Sequence, residues 1–493
     1  MLKKIGMYLL VFLCVFVFSI TEAKASDVIG NNRQGIPDKD LYQSVLRELG
    51  KSSKEKFTKQ EAAGLQSLDV YGRVKTLKGI KYLNGLKKLD LSGHGLKRLN
   101  GIQGLVKLEE LNISHNSIKT LKPLKKMKHL KKLDASWNQL KNTNGLAKMK
   151  SLKKLNLERN QLESVKELKN LTNLKQVNLY CNNLKSLKGL GKQKKLTWLD
   201  ASWNELKGIS ELKNLNNLKN LNLSRNEITS LKGLKKQTKL EKLYINRNLL
   251  VYIPEIANLI NLQTLEIQEN QLVSLQGVGK LGKLDELNVS SNQLESLDGI
   301  QNMEKLRSLY VSDNRLKGLN EVTTIKNLEW LKVDYNRITE LPNLMILPKL
   351  RFVRFGFNFI NSTSDEVATK LPVSKYDAVF MEDMEHQNIE YAIEFTEPAS
   401  LEQVNANTGR ISGRIHMPAE KIQITINENL NDDDDFITYL YADVGEDGSF
   451  VFENLDLKKY AGRKADFRIG ICYEYDTEHG FYHDSALRRY PIK

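Results

Sequence analysis

A 22-residue period is the feature that most constrains what this chain can fold into. The phrase that begins LKKLDLSGHGL at Leu86 occurs thirteen times at an unbroken spacing of 22 residues, and its last copy begins at Leu350. A shorter, atypical copy begins at Leu65. The hexapeptide LDASWN occurs at residues 133–138 and again at 199–204, three periods later. Self-similarity at this period is typical of a solenoid, in which stacked coils bury a common core.

The letters of the phrase predict a short strand and a polar turn in every coil. Positions 1, 4 and 6 are apolar and positions 3 and 5 point the other way, an alternation that turns one side of a strand toward a shared core. Position 9 is asparagine in twelve of the thirteen copies. An amide both donates and accepts, so we expect this side chain to satisfy backbone groups that stacked coils bury. The predicted asparagine ladder comprises Asn116, Asn138, Asn160, Asn182, Asn204, Asn226, Asn248, Asn270, Asn292, Asn314, Asn336 and Asn358.

The second half of each repeat predicts a compact return segment. Apolar residues are expected three apart, at positions 14, 17 and 20, and this spacing favours a 3₁₀ turn over a longer helix. The first copy carries His94 at position 9. We interpret it as a capping deviation and not as a metal ligand, because an end coil lacks one neighbour. The predicted fold is an α/β solenoid: a horseshoe of 22-residue units with a parallel inner sheet and a 3₁₀ or irregular convex side.

The first residues of the chain predict export. Lys3 and Lys4 precede an apolar run, and the residues up to Ala25 suit cleavage after that alanine. Cys14 lies inside the apolar run without the small residues that precede a lipoprotein cysteine, so we expect no lipid anchor. No second apolar run of spanning length follows, and the chain ends ALRRYPIK without an LPXTG-type sorting signal. We therefore expect release from the cell.

The parts outside the repeats have patterns of their own. Apolar residues at helical spacing predict a small helical cap before the repeats, and alternating apolar residues near the end predict an antiparallel β-sandwich, immunoglobulin-like or transthyretin-like. Cys181 and Cys472 fall in different predicted parts, so we expect no disulfide between them. The predicted boundaries are 1–25 for the signal peptide, 26–64 for the cap, 65–364 for thirteen regular repeats and one atypical repeat, 365–388 for a junction and 389–493 for the sandwich.

Charge is distributed unevenly along the chain. The net charge is +16, but residues 65–360 carry 52 basic and 26 acidic side chains, whereas residues 361–493 carry 13 basic and 26 acidic ones. Such a field favours acidic or polyanionic partners, or docking between the two halves of the chain, and says nothing about fold. Most lysines of the convex side are expected simply to solvate a repetitive surface. Nucleic acid is not expected as the partner of an exported protein.

The repeat phrase and the segment before it resemble a known family. The segment IPDKDLYQSVLRELGK, followed by units such as LKKLNLERNQLESVKELKNLTN, is similar to bacterial internalin-like leucine-rich repeat proteins of the SDS22-like class. The resemblance covers about residues 35–360. It implies a secreted or surface protein whose concave face binds a host or cell-surface protein. The segment GRISGRIHMP in the tail is faintly similar to transthyretin-like sandwiches that accompany secreted enzymes.

The register predicts which side chains face solvent on the inner sheet. All four tryptophans fall at outward positions, and exposed aromatics interleaved with arginine are typical of protein-interface hot spots. Stacking of these aromatic side chains on sugar rings is equally compatible with the pattern. In the purely structural interpretation, the side chains only cover the neighbouring coil. The candidate partner-binding residues are Trp137, Tyr180, Trp198, Trp203, Arg225, Tyr244, Arg247, Tyr310, Trp330 and Tyr335. A candidate basic patch for an anionic partner comprises Lys87, Lys88, Lys131, Lys132, Lys153 and Lys154.

The sequence carries no motif of an enzyme. Its seven histidines lack metal-ligand spacing, and neither a nucleophile elbow nor a phosphate-binding loop occurs. The run Asp432–Asp435 lacks the alternating ligands and central glycine of a calcium loop, so we interpret it as a solvated turn. We therefore expect no catalytic residue, no metal and no cofactor.

Three functions are compatible with these patterns. The favoured hypothesis is a secreted module that binds a protein partner through its concave face, in host or cell-surface interaction and hence in virulence. One alternative is a binder of cell-wall polyanions or glycans. The other is a targeting subunit or regulator of an extracellular enzyme.

Overall fold

The computed structural model describes the chain in two compact units. The first unit ends at Leu174 and the second begins at Lys175. The predicted signal peptide and Asp432–Asp435 lie outside the described residues. The described residues are 27–301, 303–360, 364–372, 379, 383, 393–397, 407–415, 421–427, 437–445, 447, 449–458, 466–472 and 490–491.

The first unit opens with a small mixed segment. Strands β1 (Val28–Ile29) and β2 (Phe57–Thr58) pair antiparallel. Helix α1 (Lys39–Glu48) and helix α2 (Lys59–Gly64) lie where the helical spacing predicts them.

Polar caps fix the start of both helices and dock α1 on the atypical repeat. The Asp38 carboxylate accepts the Leu41 backbone N–H at 3.1 Å, and its other oxygen accepts the backbone N–H of Lys75 at 2.8 Å. Thr58 and Glu61 form a capping box at α2. Because Asp38 serves its own helix and the first coil at once, the cap and the repeats share one hydrogen-bond network.

Five parallel strands follow in the first unit, one per coil. The central leucines of successive strands pair directly, as Leu111 does with Leu133. The strands are β3 (Ser67–Asp69), β4 (Lys88–Asp90), β5 (Glu110–Asn112), β6 (Lys132–Asp134) and β7 (Lys154–Asn156). The 3₁₀ helices of this unit are Ile80–Tyr82, Ile102–Gly104, Lys122–Leu124 and Lys166–Asn170.

The second unit continues the same repeat. Its nine parallel strands keep the 22-residue offset, as Leu221 pairs with Leu243. The strands are β8 (Gln176–Asn178), β9 (Trp198–Asp200), β10 (Asn220–Asn222), β11 (Lys242–Tyr244), β12 (Thr264–Glu266), β13 (Glu286–Asn288), β14 (Ser308–Tyr310), β15 (Trp330–Lys332) and β16 (Phe352–Arg354). The 3₁₀ helices are Ser210–Asn214, Lys232–Leu234, Pro254–Asn258, Val278–Lys280, Asn320–Thr324 and Leu344–Ile346. The predicted solenoid of 22-residue units with 3₁₀ return segments is confirmed.

Helix α3 (Ser364–Ala368) and two antiparallel sheets complete the second unit. One sheet has the order β17 (Ile393–Glu397), β18 (Ile411–Ile415), β21 (Ser449–Phe452). The other has the order β20 (Ile437–Asp443), β19 (Lys421–Asn427), β22 (Asp466–Cys472), β23 (Tyr490–Pro491). The predicted antiparallel strands are confirmed, and the sandwich type stays a prediction.

The core is a stack of leucines contributed by every coil. In the coil that begins at Leu218, Leu221 and Leu223 point inward from the strand and are fully buried, as is Leu234 in the 3₁₀ turn. Burial of one such side chain contributes about 1.5–3 kcal/mol relative to leaving it exposed. Repetition of this set in every coil makes packing the main source of stability.

Position 20 departs from the predicted apolar pattern in two coils. Gln193 and Gln237 occupy it and are fully buried. The Gln237 side chain donates to the Leu212 carbonyl of the preceding coil at 2.6 Å and accepts the Lys236 backbone N–H at 3.1 Å. The prediction of an apolar residue at position 20 is wrong for these coils, because an amide with both of its ends satisfied is tolerated in the core.

The asparagine ladder ties each coil to the one before it. Asn248 donates to the Leu223 carbonyl of the preceding coil at 3.0 Å and to its own coil's Ile245 carbonyl at 3.1 Å. Its oxygen accepts the Ile228 N–H of the preceding coil at 3.0 Å. The same bonds recur from Asn116 to Asn358 in the hydrogen bonds that the structure describes within each unit.

His94 replaces the asparagine in the first regular coil. Its Nδ1 lies 3.0 Å from the Gly72 carbonyl of the atypical copy, and the side chain is only 6% exposed. One bond to the preceding coil thus takes the place of the several that an asparagine makes. This geometry agrees with the interpretation of His94 as a capping deviation.

Asn248→Ala is expected to lower the free energy of unfolding by about 2–4 kcal/mol, because it leaves buried donors and acceptors of two coils unpaired. Urea unfolding of the full chain measures the effect. Asn183→Ala is the matched control, since Asn183 is exposed and makes one side-chain bond, 3.5 Å long. A loss of stability no greater than that of the control contradicts the ladder's role.

Asp383 caps the last coil from outside the repeats. Its carboxylate is 1% exposed and accepts the Arg354 Nε–H at 2.9 Å and the Phe355 backbone N–H at 2.8 Å. Burial raises the pKa of Asp383 to about 6, and the bonds from Phe355 and Arg354 offset only part of that effect. Ionisation of this carboxyl therefore opposes folding.

We expect the contribution of Asp383 to stability to be fullest below its unfolded pKa, near 4, and to be lost as pH rises through about 6. The whole effect is at most about 3 kcal/mol. The measurement is the difference in free energy of unfolding between the natural chain and Asp383→Asn at a series of pH values. A difference that does not change across this window contradicts the assignment.

Candidate functional site

The strand face is the side of the parallel strands that points away from the leucine core. We define it by positions 2, 3 and 5 of each coil together with positions 7 and 8 of the following turn. In strand β6 the central Leu133 is 2% exposed, while Lys132 before it is exposed and Asp134 after it is half-buried. The same alternation holds in the other strands, except that Thr264, at the outward position 3 of β12, is buried. The outward positions predicted from the register therefore lie on one continuous face within each unit.

Position 8 has an unusual backbone conformation. In twelve coils, from His115 to Phe357, this residue has a positive φ, between 48° and 57°. Non-glycine residues rarely adopt this left-handed region. The conformation serves the coil stack, since the Asn116 backbone N–H donates to the Trp137 carbonyl of the next coil at 3.1 Å. The sequence gives little hint of this turn, because glycine, the usual signal, stands at position 8 in only one of the thirteen regular copies, as Gly93.

The position-8 side chains of three successive coils in the first unit form a stack. The imidazole of His115 lies on the indole of Trp137, with centroids 5.1 Å apart and planes at 18°. The Arg159 guanidinium lies over the same indole, 4.4 Å from its centroid. Trp137 is still 43% exposed. The residue therefore covers its neighbours and also presents an apolar surface, and its role in binding stays a prediction.

A related stack occupies the second unit. The Arg225 guanidinium lies 3.9 Å from the centroid of the Trp203 indole, and Tyr180 meets that indole edge-on at 6.2 Å. Trp203 is half-buried. Arg247 Nε donates to Glu269 at 2.6 Å, so this arginine is engaged in an ion pair. The two LDASWN copies therefore place their indoles alike, beneath an arginine of the next coil.

A second aromatic group lies on the last strands. Trp330 is 43% exposed, and its ring centroid is 5.2 Å from that of Phe352 on the adjacent strand. On β14, Tyr310 lies near this pair, with the Lys332 ammonium 5.8 Å from its ring. Phe352 was not among the predicted residues. The signal was available, since it stands at outward position 3.

The remaining predicted aromatics are distributed along the same face. Trp198 and Tyr244 are half-buried at positions 3 and 5 of β9 and β11. Tyr335 is half-buried at position 8 and stacks on Phe357, with centroids 4.2 Å apart. Burial raises the pKa of the Tyr244 hydroxyl, and nearby Glu266 and Glu286 raise it further. None of the ten predicted residues is sealed in the core, and whether they bind a partner stays a prediction.

A polar ladder at position 5 was missed from the sequence. In the coil of β9, Asp200 accepts the Ser202 backbone N–H at 2.9 Å and the Asn222 amide of the next coil at 3.1 Å. Asp134 and Asn156 repeat this pairing in the first unit at 3.0 Å. Burial raises the pKa of Asp200, an effect that its hydrogen bonds partly offset. These hydrogen bonds link the position-5 side chains of adjacent coils.

The predicted basic patch is interrupted by acids. All six lysines are exposed, but Lys131 pairs with Glu109 at 2.6 Å and Lys132 pairs with Glu110 at 2.9 Å. Glu109 and Glu110 lie on β5 or next to it, between the lysines of β4 and those of β6. The strand face of the first unit is therefore of mixed charge. This weakens the expectation of an anionic partner at this position.

Two segments match models of the leucine-rich repeat. Residues 106–148 match the model described as leucine-rich repeats in two copies, and residues 260–316 match the model described as leucine-rich repeat. An internalin of Listeria monocytogenes, InlF, superimposes with a TM-score of 0.54 at 24% identity, covering 68% of this chain and 99% of the internalin. The chain thus contains leucine-rich repeats, and its fold is similar to that of an internalin.

Two further solved structures share the repeat architecture. A leucine-rich repeat protein of Leptospira interrogans is 29% identical with a TM-score of 0.53, covering 63% of this chain and 89% of that one. The plant peptide hormone receptor RGFR1, solved in complex with RGF2, is 24% identical with a TM-score of 0.52, covering 60% of this chain and 51% of the receptor. A comparison with curated protein sequences finds no match.

The described part of this leucine-rich repeat protein holds no metal-binding cluster. No group of three or more His, Cys, Asp or Glu side chains suited to a metal ion occurs among the residues that the structure describes. Cys181 is half-buried at position 8 and forms no disulfide bond. Within the same residues, no helix has the length and hydropathy needed to cross a bilayer.

Ser291→Gly is expected to stabilise the repeats by up to about 1 kcal/mol. Ser291 has a φ of 53°, where an L residue costs about 1–2 kcal/mol and glycine avoids that cost, although glycine's greater unfolded entropy removes about 0.5–1 kcal/mol. The control Ser290→Gly changes the neighbouring residue, whose φ is not positive, and should destabilise by about 0.5–1 kcal/mol. Urea unfolding distinguishes the two, and equal effects contradict the assigned strain.

Proposed function

We propose that this leucine-rich repeat protein is a secreted binding module whose strand face holds a protein partner, in host or cell-surface interaction. The observation that carries the proposal is the aromatic group on β14 to β16, in which Trp330 is exposed and Tyr310 and Phe352 are half-buried. Trp330 stands beside Phe352 on adjacent strands, with Tyr310 one strand away. Large apolar rings on an otherwise polar sheet are in place before any partner arrives.

Rigid aromatic side chains favour tight binding of a protein partner. Indole and phenyl side chains contribute large apolar area at a low cost in conformational entropy, and such residues dominate the binding energy of protein interfaces. Here the rings are held by their neighbours, as Trp203 is held by Arg225 at 3.9 Å. A partner that covers them would therefore order few additional side chains. This favours a protein surface over a small molecule, which would need a pocket.

Two further observations support the proposal. Lys3, Lys4 and the apolar run before Ala25 have the pattern of an export signal. RGFR1, which shares the repeat architecture, was solved in complex with RGF2. We infer from these that the partner is met outside the cell.

The decisive experiment compares three forms of the mature chain, residues 26–493. The natural chain is used to capture proteins from a host-cell surface extract, mass spectrometry identifies the partner, and the affinity of the purified pair is measured. The double variant Trp198→Ala/Trp330→Ala should bind about 30-fold or more weakly, the size of a hot-spot loss. Its urea unfolding midpoint should stay close to that of the natural chain.

Tyr252→Ala is the matched control. Tyr252 is 65% exposed but belongs to a return segment, away from the strand face. We expect this variant to change affinity by less than about threefold, because an exposed aromatic outside the interface contributes little. Undiminished affinity in the double variant would remove the strand face as the binding surface.

A further inference from the structure

The return segments of three coils in the first unit carry many basic residues and no acidic residue. Residues 95–107, 117–129 and 139–151 together contain 11 lysines and arginines and no aspartate or glutamate. These segments carry the 3₁₀ helices Ile102–Gly104 and Lys122–Leu124. We call the surface that they form the return face. It lies on the opposite side of each coil from the strand.

Composition alone does not explain this imbalance. The strands of the same coils carry Glu109 and Glu110, each paired with a lysine of the next coil. Acidic residues are thus present in these coils, but on the strand face only. Simple solvation of a repetitive surface, the expectation from sequence, requires no such separation, because mixed charges solvate a surface equally well.

The lysines converge on an open depression. It has a volume of about 630 Å³ and is lined by Lys107, Lys125, Lys126, Lys128, His129 and Lys148. All six side chains are exposed. None of the five lysines has a carboxylate within ion-pair distance among the residues that the structure describes. Their mutual repulsion is therefore balanced only by solvent and by whatever anion binds there.

The core explains why these lysines share one surface. The position-20 side chains Leu105, Met127 and Met149 are buried in successive coils. The lysines beside them must therefore point outward in every coil. Lys126 and Lys148 hold the same position of adjacent coils, so positive charge repeats along the stack. The exposed Val106 adds an apolar edge to the depression.

We propose that the return face binds a linear polyanion that carries repeated phosphate or sulfate groups. Charge that recurs from coil to coil matches a polymer whose anionic groups recur along its length, whereas a single small anion would meet only part of the surface. Lysine ammonium groups suit this task because each acts as a point charge without a fixed geometry. The site is separate from the strand face, so it neither requires nor replaces the proposed protein partner.

The test measures binding of the mature chain to two probes, inorganic polyphosphate and heparin. The variant Lys125→Gln/Lys126→Gln/Lys128→Gln removes three charges from the depression. We expect its affinity for the bound probe to fall about tenfold or more, since the three lysines no longer pair with anionic groups of the polymer. Binding of the natural chain should also weaken steeply with added salt. A preference for polyphosphate assigns phosphate as the anionic group, and a preference for heparin assigns sulfate.

The matched control is Lys88→Gln/Lys153→Gln/Lys154→Gln, which removes three exposed lysines from the strand face of the same unit. The two variants have the same net charge, so long-range attraction falls equally in both. The control should lose less than about threefold in affinity. Equal losses, or no binding of either probe by the natural chain, overturn the proposal. The return-face variant should still bind the protein partner. The polyanion proposal and the strand-face proposal can therefore fail independently of each other.

Discussion

Every other feature of the repeats depends on the asparagine at position 9. One side-chain amide satisfies carbonyls of its own coil, a carbonyl of the preceding coil and an N–H of that coil, as Asn248 does with Ile245, Leu223 and Ile228. Each of these groups, if left unpaired in a buried coil, would cost about 1–3 kcal/mol. The ladder therefore fixes the spacing of the coils, and a fixed spacing keeps the leucine positions in register.

The same stacking determines the form of the candidate binding surface. Each position-8 residue bends into the left-handed region so that its carbonyl can accept from the preceding coil, as Trp137 accepts from Asn116. The bend presents its side chain beside the equivalent side chain of the next coil. Arginine on tryptophan and tyrosine on phenylalanine follow from this geometry, as Arg225 on Trp203 illustrates. The candidate interface residues therefore also cover the neighbouring coil, and one role does not exclude the other.

Acidic and basic residues are distributed differently on the two sides of the first unit. On the strand face lysines meet glutamates across neighbouring strands, as Lys131 meets Glu109. On the return face lysines such as Lys126 recur without an acidic neighbour, because no acidic residue occurs in those three segments. Two surfaces of different chemistry on one solenoid allow two classes of ligand to bind at once. A protein on one side and a polyanion on the other is the arrangement that fits these charges.

The sequence by itself determined the coil, its length, its buried leucines and its outward positions, since a period of 22 with fixed apolar places leaves one register. It also indicated the asparagine ladder, because an amide is the group that can both donate and accept inside a turn. Only the tertiary structure decided which outward residues meet. Glu109 pairs with Lys131 and Arg225 covers Trp203 because stacking brings residues 22 apart into contact. The buried Gln237 and the Asp383 cap on Arg354 have no local signal, since each is stabilised by groups distant in the chain.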